Sequence, residues 1–317
     1  MTLYLKEEEV GSLLDMQTVL EAVEQVMAAH GRGETIDFPR QRVRLPKTMT
    51  HLLQGGVPSL NLSGFKVYTT AGGHNRFWVH LFDASTGDPV AVIEADRLGM
   101  MRTGAAAGVA ARWLSRPESR VVGVFGSGWQ AQGQILALCA VRPVERFKVF
   151  ARNQERLRSF CEQMSSETGC DVVPAASAEE TVRDSDIVVT ITTSPKPLFD
   201  ADWLSPGTHI NAGGSNSLAR QELSEAAVRR ADVICVDSRE VAVREAGDLM
   251  PLLEKGRTQP GRWVELGEVV AGVRPGRTSG DQITLFESQG MGIQDIAVAA
   301  RVVERALERG LGTALPY

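Results

Sequence analysis

The stretch Val121-Val122-Gly123-Val124-Phe125-Gly126-Ser127-Gly128-Trp129-Gln130-Ala131 decides the fold. An apolar strand (120–125) runs into a Gly-x-Gly-x-x-Ala turn, and residues 129–140 then read as a helix. Gly126 permits the tight turn, Gly128 lets the backbone reach a pyrophosphate, and Ala131 keeps helix and strand close. The helix N-terminus supplies free N–H groups and a favourable dipole. The turn alone is a weak signal, but between a strand and a helix it predicts a dinucleotide site. Its cofactor-binding positions are Gly126, Ser127, Gly128, Trp129, Gln130 and Ala131, with Trp129 shielding the turn or packing.

Downstream, the strand–helix alternation continues, with strands at 146–151, 187–192, 209–212 and 233–237 and a helix at 154–168. Such text predicts an α/β fold, a parallel sheet covered by helices on both faces. The second strand ends Val149-Phe150-Ala151-Arg152-Asn153, with no carboxylate to hold a ribose 2′-hydroxyl. Arg152 suits a 2′-phosphate and Asn153 can add a donor, which favours NADPH and leaves NADH possible. Thr190, Thr192 and Thr193 end the fourth strand on the cofactor side; ordinary strand-end hydrogen bonding is their other reading.

Upstream, Asp15 caps a helix whose apolar residues Met16, Val19, Leu20, Val23, Val26 and Met27 share one face, ending near Gly31. From Ile36 the period becomes two, and residues 36–95 read as an antiparallel sheet of hairpins. Arg40, Arg42 and Arg44 alternate, so on a regular strand they share a face. Residues 96–114 read as a helix of small residues that another element can approach closely, and Arg116-Pro117 marks a break.

The chain has 317 residues, with 34 basic and 39 acidic side chains giving a net charge of −5. That balance gives no footprint for nucleic acid or an anionic membrane. No apolar run reaches a membrane span, the start lacks a signal peptide's basic and apolar text, and four cysteines form no CxxC pair. A cytoplasmic protein without disulfides is expected. His30, His51, His74, His80 and His209 show no ligand spacing, so no metal is expected.

Taken together, several segments resemble the ornithine cyclodeaminase/mu-crystallin family of NAD(P)-dependent enzymes. They are Gly64-Phe65-Lys66-Val67, Met101-Arg102-Thr103-Gly104-Ala105-Ala106, the Gly126–Ala131 turn and His209-Ile210-Asn211-Ala212-Gly213-Gly214. Near the end come Glu265-Leu266-Gly267-Glu268-Val269 and Ser288-Gln289-Gly290-Met291-Gly292-Ile293-Gln294-Asp295. The resemblance implies a Rossmann domain (118–290) inserted into an α+β substrate and dimerisation domain (1–117 plus 291–317). It implies a homodimer acting on small imino or amino acids, and it places Thr103 and Met291 beside the cofactor.

A 2-imino acid carries a carboxylate that must be desolvated, paired and oriented before hydride transfer. Arg42, Lys66 and Arg102 match the family's cationic clamp, with Arg40 a rival to Arg42; surface salt bridges are the alternative for each. Lys66, near other cations, can also give a proton to the substrate nitrogen. Where cyclodeaminases and related alanine dehydrogenases have an aspartate that assists proton transfer, this chain has Asn216. A carboxamide does not titrate, so Asn216 tilts the expectation from oxidative deamination to imine reduction. The expected activity is NADPH-dependent reduction of a pyrroline-2-carboxylate or piperideine-2-carboxylate type ketimine. Ornithine or lysine cyclodeamination, alanine-type dehydrogenation and a non-enzymatic NADPH-dependent binder are the alternatives.

Overall fold

The computed structural model describes residues 2–72 and 74–316. The chain opens β1 (Thr2–Leu5), α1 (Glu7–Leu13) and α2 (Met16–Gly31). Four long strands follow, β2 (Ile36–Arg44), β3 (Thr48–Val57), β4 (Leu62–Ala71) and β5 (His74–Asp83), then β6 (Pro89–Glu94) and α3 (Asp96–Leu114). The alternating region is β7 (Val121–Phe125), α4 (Trp129–Val141), β8 (Arg146–Phe150), α5 (Gln154–Thr168), β9 (Asp171–Pro174), α6 (Ala178–Val182), β10 (Ile187–Thr190) and β11 (His209–Ala212). Shorter elements continue it: α7 (Glu225–Arg229), β12 (Val233–Val236), α8 (Arg239–Glu245), α9 (Met250–Glu254), β13 (Val264–Glu265), α10 (Leu266–Val270) and β14 (Thr284–Glu287). The chain closes with α11 (Gly292–Arg309) and β15 (Thr313–Leu315).

These elements separate into two units, Met1–Arg102 with Gly290–Tyr317, and Thr103–Gln289. The first carries a seven-stranded sheet in the order β15-β1-β6-β5-β4-β3-β2, antiparallel except for the β1–β6 pair. Helix α11 packs on β3, β4 and β5 and against α2, and every residue from Gly292 to Ala299 is buried. Asp15 caps α2 by accepting from the Thr18 N–H, and Gly310 ends α11 in the left-handed conformation.

The second unit carries an eight-stranded, all-parallel sheet in the order β13-β12-β14-β11-β10-β7-β8-β9. Strands β7, β10 and β11 are buried throughout or nearly so because helices cover both faces of such a sheet. The unit begins at Thr103, inside α3, whereas the sequence break lies at Arg116-Pro117. The reason is the small-residue stretch: a Cβ on Gly104 would come 2.1 Å from the Gly133 carbonyl of α4, so only glycine allows this approach.

Strand β2 departs from simple alternation. The β2–β3 register shifts between Phe38 and Gln41, so β2 holds an extra residue around Pro39-Arg40. Arg42 and Arg44 stand opposite His51 and Met49, and Arg40 lies at the irregularity itself. The proline, which has no N–H to give the ladder, stands at this irregularity.

Candidate active site

In the first unit, β4 sets Lys66 between Leu53 of β3 and Val79 of β5. Helix α3 begins under a cap from α1: Glu7 accepts from the Asp96 N–H (3.0 Å) and the Arg97 N–H (2.6 Å). Arg102 lies further along that helix. Both side chains converge on Asp295 in the first turn of α11. Lys66 Nζ donates to Asp295 Oδ1 at 2.8 Å and lies 2.7 Å from Oδ2, and Arg102 Nε donates to Oδ1 at 2.8 Å. Gln294 Oε1 accepts from Arg102 Nη1 at 3.4 Å. Lys66 is 2% exposed, Arg102 7% and Asp295 not at all, so two cations share one carboxylate out of water. Burial, joined by the Arg102 charge, pushes Lys66 down to about 7, while Asp295 pulls the other way.

Beside this centre, on the same face of the sheet, runs the cross-strand row Arg42, His51, Tyr68 and Phe77. His51 stacks on Tyr68 with ring centroids 4.1 Å apart, and Tyr68 on Phe77 at 4.8 Å. Burial, with the Arg40 and Arg42 charges, drops His51 to about 4, so at neutral pH it is an uncharged imidazole. Arg42 is exposed and Arg40 half-buried.

In the second unit, Gly126 takes φ 115°, and a Cβ there would meet the Ile191 carbonyl at 2.7 Å, so the position requires glycine. Gly128 is the N-cap of α4 with no side-chain cap, and nothing lies within 4 Å of where its Cβ would stand. Gln130 Oε1 is buried without a hydrogen-bond partner. An uncapped helix N-terminus and open space before a glycine backbone fit a dinucleotide pyrophosphate. Trp129 is 46% exposed at the first helical position, and Ala131 is buried against the strand. Ser127 is half-buried in the turn. Arg152 is exposed just past the end of β8, while the Asn153 side chain caps α5, its Oδ1 accepting from the Arg156 N–H.

The ends of β10 and β11 are tied together by buried carboxylates. Glu222 Oε1 accepts from both the N–H and the hydroxyl of Thr192 at 2.6 Å, and Oε2 accepts from the Gly214 N–H at 2.8 Å. Asp248 Oδ1 in turn accepts from the Glu222 and Leu223 N–H groups. Ser215 donates to Glu287 at 2.5 Å, and Arg220 Nη1 donates to Asn216 Oδ1 at 3.2 Å. Burial raises Glu222 to about 7 and Asp248 to about 6, and it holds Glu287 well above the usual carboxylate range, with the Asp248 charge acting in the same direction. Thr190 is fully buried as the last residue of β10.

The ornithine cyclodeaminase/mu-crystallin family model matches residues 1–310. The chain belongs to this family. It is 36% identical over 240 residues to a delta(1)-pyrroline-2-carboxylate reductase of Bacillus cereus, covering 75% of this chain and 74% of that protein. Its fold matches the delta(1)-pyrroline-2-carboxylate reductase of Thermococcus litoralis, solved with NADH and L-proline, at a TM-score of 0.94 and 32% identity over 99% of this chain and all of that one. An archaeal alanine dehydrogenase dimer with bound NAD matches equally, at 0.94 and 32% over 100% of this chain and 99% of that one. The fold is thus that of the family's Rossmann-type dehydrogenases.

Among the family positions expected from sequence, the structure brings Lys66 and Arg102 together on one carboxylate and sets Arg42 in the adjoining row. Met291 is the buried N-cap residue of α11, four residues before Asp295. Thr103 is a half-buried residue of α3. Asn153 and Thr192 are engaged in a helix cap and in the Glu222 bonds, respectively. Asp295, Glu222 and Asp248 were not among the sequence candidates. Asp295 stood in the quoted family segment, where a carboxylate at the start of an apolar helix was the available signal. His209 is a core residue, bonded to Thr284 and Asn211. The side chain of His74 lies outside those described. Among the described residues no group of three or more His, Cys, Asp or Glu is placed to hold a metal, and no helix is long and apolar enough to cross a membrane.

Proposed function

We propose that this family member reduces a ketimine carboxylate of the pyrroline-2-carboxylate or piperideine-2-carboxylate type to the cyclic amino acid, with NADPH preferred over NADH. It is an NAD(P)-dependent oxidoreductase acting on a carbon–nitrogen bond. The observation that carries the reading is the buried centre of the first unit, where Lys66 and Arg102 face the single carboxylate of Asp295. Two buried cations against one anion favour a second anion, and a substrate carboxylate supplies it.

When bound, the dihydronicotinamide supplies a hydride to the imine carbon. Arg102 and Arg42 hold the substrate carboxylate, Arg102 in a planar, charge-assisted pair. Lys66, titrating near 7, gives its proton to the substrate nitrogen, which becomes the amine. Asn216 hydrogen-bonds without titrating, which suits reduction better than amine oxidation. Thr103, Gly126, Ser127, Gly128, Trp129, Gln130, Ala131, Thr190, Thr192 and Met291 hold the dinucleotide. Arg152 reads its 2′-phosphate, and Asn153, its carbonyl oxygen used by the helix cap, adds an amide donor.

The first unit then serves as substrate and dimerisation domain and the second as dinucleotide domain. A homodimer is supported by the dimeric archaeal relative. The four free cysteines suit the cytoplasm, where we place the protein. The second reading is alanine-type dehydrogenation, favoured by that same relative. The test is to mix protein, NADPH and pyrroline-2-carboxylate: proline should form one for one with NADPH consumed. Ammonia released from ornithine without net NADPH change would contradict the proposal, and tight NADPH binding without turnover on a panel of imines would point to a binder.

A further inference from the structure

We propose that Asp295 is a positioning residue for this reaction, one buried carboxylate that fixes the Lys66 ammonium and the Arg102 guanidinium in a single arrangement. The inference rests on the imine-reductase reading and adds to it a residue that acts through Lys66.

The geometry is asymmetric in an informative way. Oδ1 is shared by Lys66 Nζ and Arg102 Nε, both at 2.8 Å, while Oδ2 stands 2.7 Å from Nζ. Lys66 thus donates to one oxygen and stands at ion-pair distance from the other, and Arg102 is held by one, with Gln294 taking a second guanidinium nitrogen. The partners lie 229 and 193 residues from Asp295 in sequence, on β4 and α3, so only the folded first unit brings them together. Asp295 sits in the first turn of α11, where the helix dipole favours a negative charge, and the surrounding turn is buried. A carboxylate that is completely enclosed and doubly bonded has little freedom to follow the cations. They take their positions from it.

The charged groups facing Lys66 are Arg102 from α3, Asp295 from α11 and Arg40 from β2. Burial and the two arginines favour the neutral amine, and Asp295 alone among these groups favours the ammonium. Asp295 therefore keeps Lys66 able to carry a proton near neutral pH. An arriving substrate carboxylate acts in the same sense, so the lysine is most fully protonated when the imine is bound.

The test compares Asp295→Asn and Asp295→Glu with the unaltered protein, following kcat and KM for pyrroline-2-carboxylate against pH and NADPH affinity by fluorescence. Asp295→Asn is expected to lower kcat/KM about 100-fold and to move the inflection on the alkaline side about one unit towards acid, with NADPH affinity kept. Asp295→Glu retains the charge but displaces it: the inflection should stay while kcat falls about tenfold. An unmoved inflection in the asparagine variant, or full kcat in the glutamate variant, would overturn the proposal; the second result decides even if the first variant does not fold. Separately, the Lys66 Cε resonance in lysine-labelled protein reports its titration without turnover, assigned by its loss in Lys66→Met. Should the protein reduce no imine, that titration still shifts in Asp295→Asn if the carboxylate sets the proton; an unshifted titration rejects Asp295 whatever the substrate.

Discussion

Glu222 holds Thr192 twice through one oxygen, accepting from its backbone N–H and its hydroxyl at 2.6 Å each, and reaches Gly214 with the other at 2.8 Å. A single side chain thereby ties the loop after β10 to the loop after β11, at the carboxyl ends of two neighbouring strands of the second sheet. Its stiffness is obtained at an electrostatic cost, because burial lifts Glu222 from 4.5 to about 7.

That cost has a sign. The folded state holds the Glu222 proton up to about pH 7 and the unfolded chain releases it near 4.5, so between those values the folded state binds more protons. Unfolding free energy contributed by this group therefore falls as pH rises through that window, by at most about 3 kcal/mol. Asp248 and Glu287, also raised, act in the same direction. Urea unfolding of Glu222→Gln between pH 5 and 7.5 should show a flatter slope than the unaltered protein; an equal slope would contradict the assignment.

Two glycines two residues apart should separate folding from binding. Gly126→Ala forces a Cβ to 2.7 Å from the Ile191 carbonyl at φ 115°, and should destabilise the protein by about 1–3 kcal/mol. Gly128→Ala has open space, so thermal stability should barely change. Yet NADPH affinity should fall at least about tenfold, because the new methyl stands where the pyrophosphate approaches the backbone. Calorimetry of both variants checks the pair.

The legible part of this protein is the part written locally. The strand–turn–helix text at 121–131 led to the parallel sheet, and the hairpin text at 36–95 to the antiparallel one. The strands β1 and β15 were not legible: they have four and three residues, and they exist because β1 pairs with β6 on one side and β15 on the other. The β2 irregularity was hidden because an inserted residue leaves the alternation of the text unbroken while shifting the pairing register. Asp295 was not legible as a site residue for a related reason. Its importance lies in partners on β4 and α3, and no local pattern announces a shared carboxylate 193 residues from one of them. Lys66 was readable, since an isolated charge on an apolar strand requires an explanation.

Arg152 is the proposed reader of the 2′-phosphate, and its exposure after β8 leaves it reachable. Arg152→Asp should lower kcat/KM with NADPH by about 1.5–3 kcal/mol of charge-assisted hydrogen bonding, a factor of about ten to a hundred. It should improve the figure with NADH. Steady-state rates with both nucleotides decide it, and an unchanged ratio would remove Arg152 from cofactor choice.

Lys66→Ala removes the proposed proton donor. Turnover should fall about 100- to 10,000-fold while NADPH affinity stays, measured by stopped-flow and fluorescence titration. In the unaltered protein kcat/KM should decline above about pH 7, as the lysine loses its proton. Near-normal turnover of the variant would exclude Lys66 from the chemistry.

In the proposed reaction a substrate carboxylate completes the charge of the Lys66–Asp295–Arg102 centre. The deciding comparison is NADPH-dependent reduction of pyrroline-2-carboxylate against that of 1-pyrroline, the same ring without the acid group. The carboxylate-bearing imine should be reduced at least about a thousandfold more efficiently in kcat/KM, a difference within reach of a buried charge pair. Equal efficiency for the two rings would contradict it.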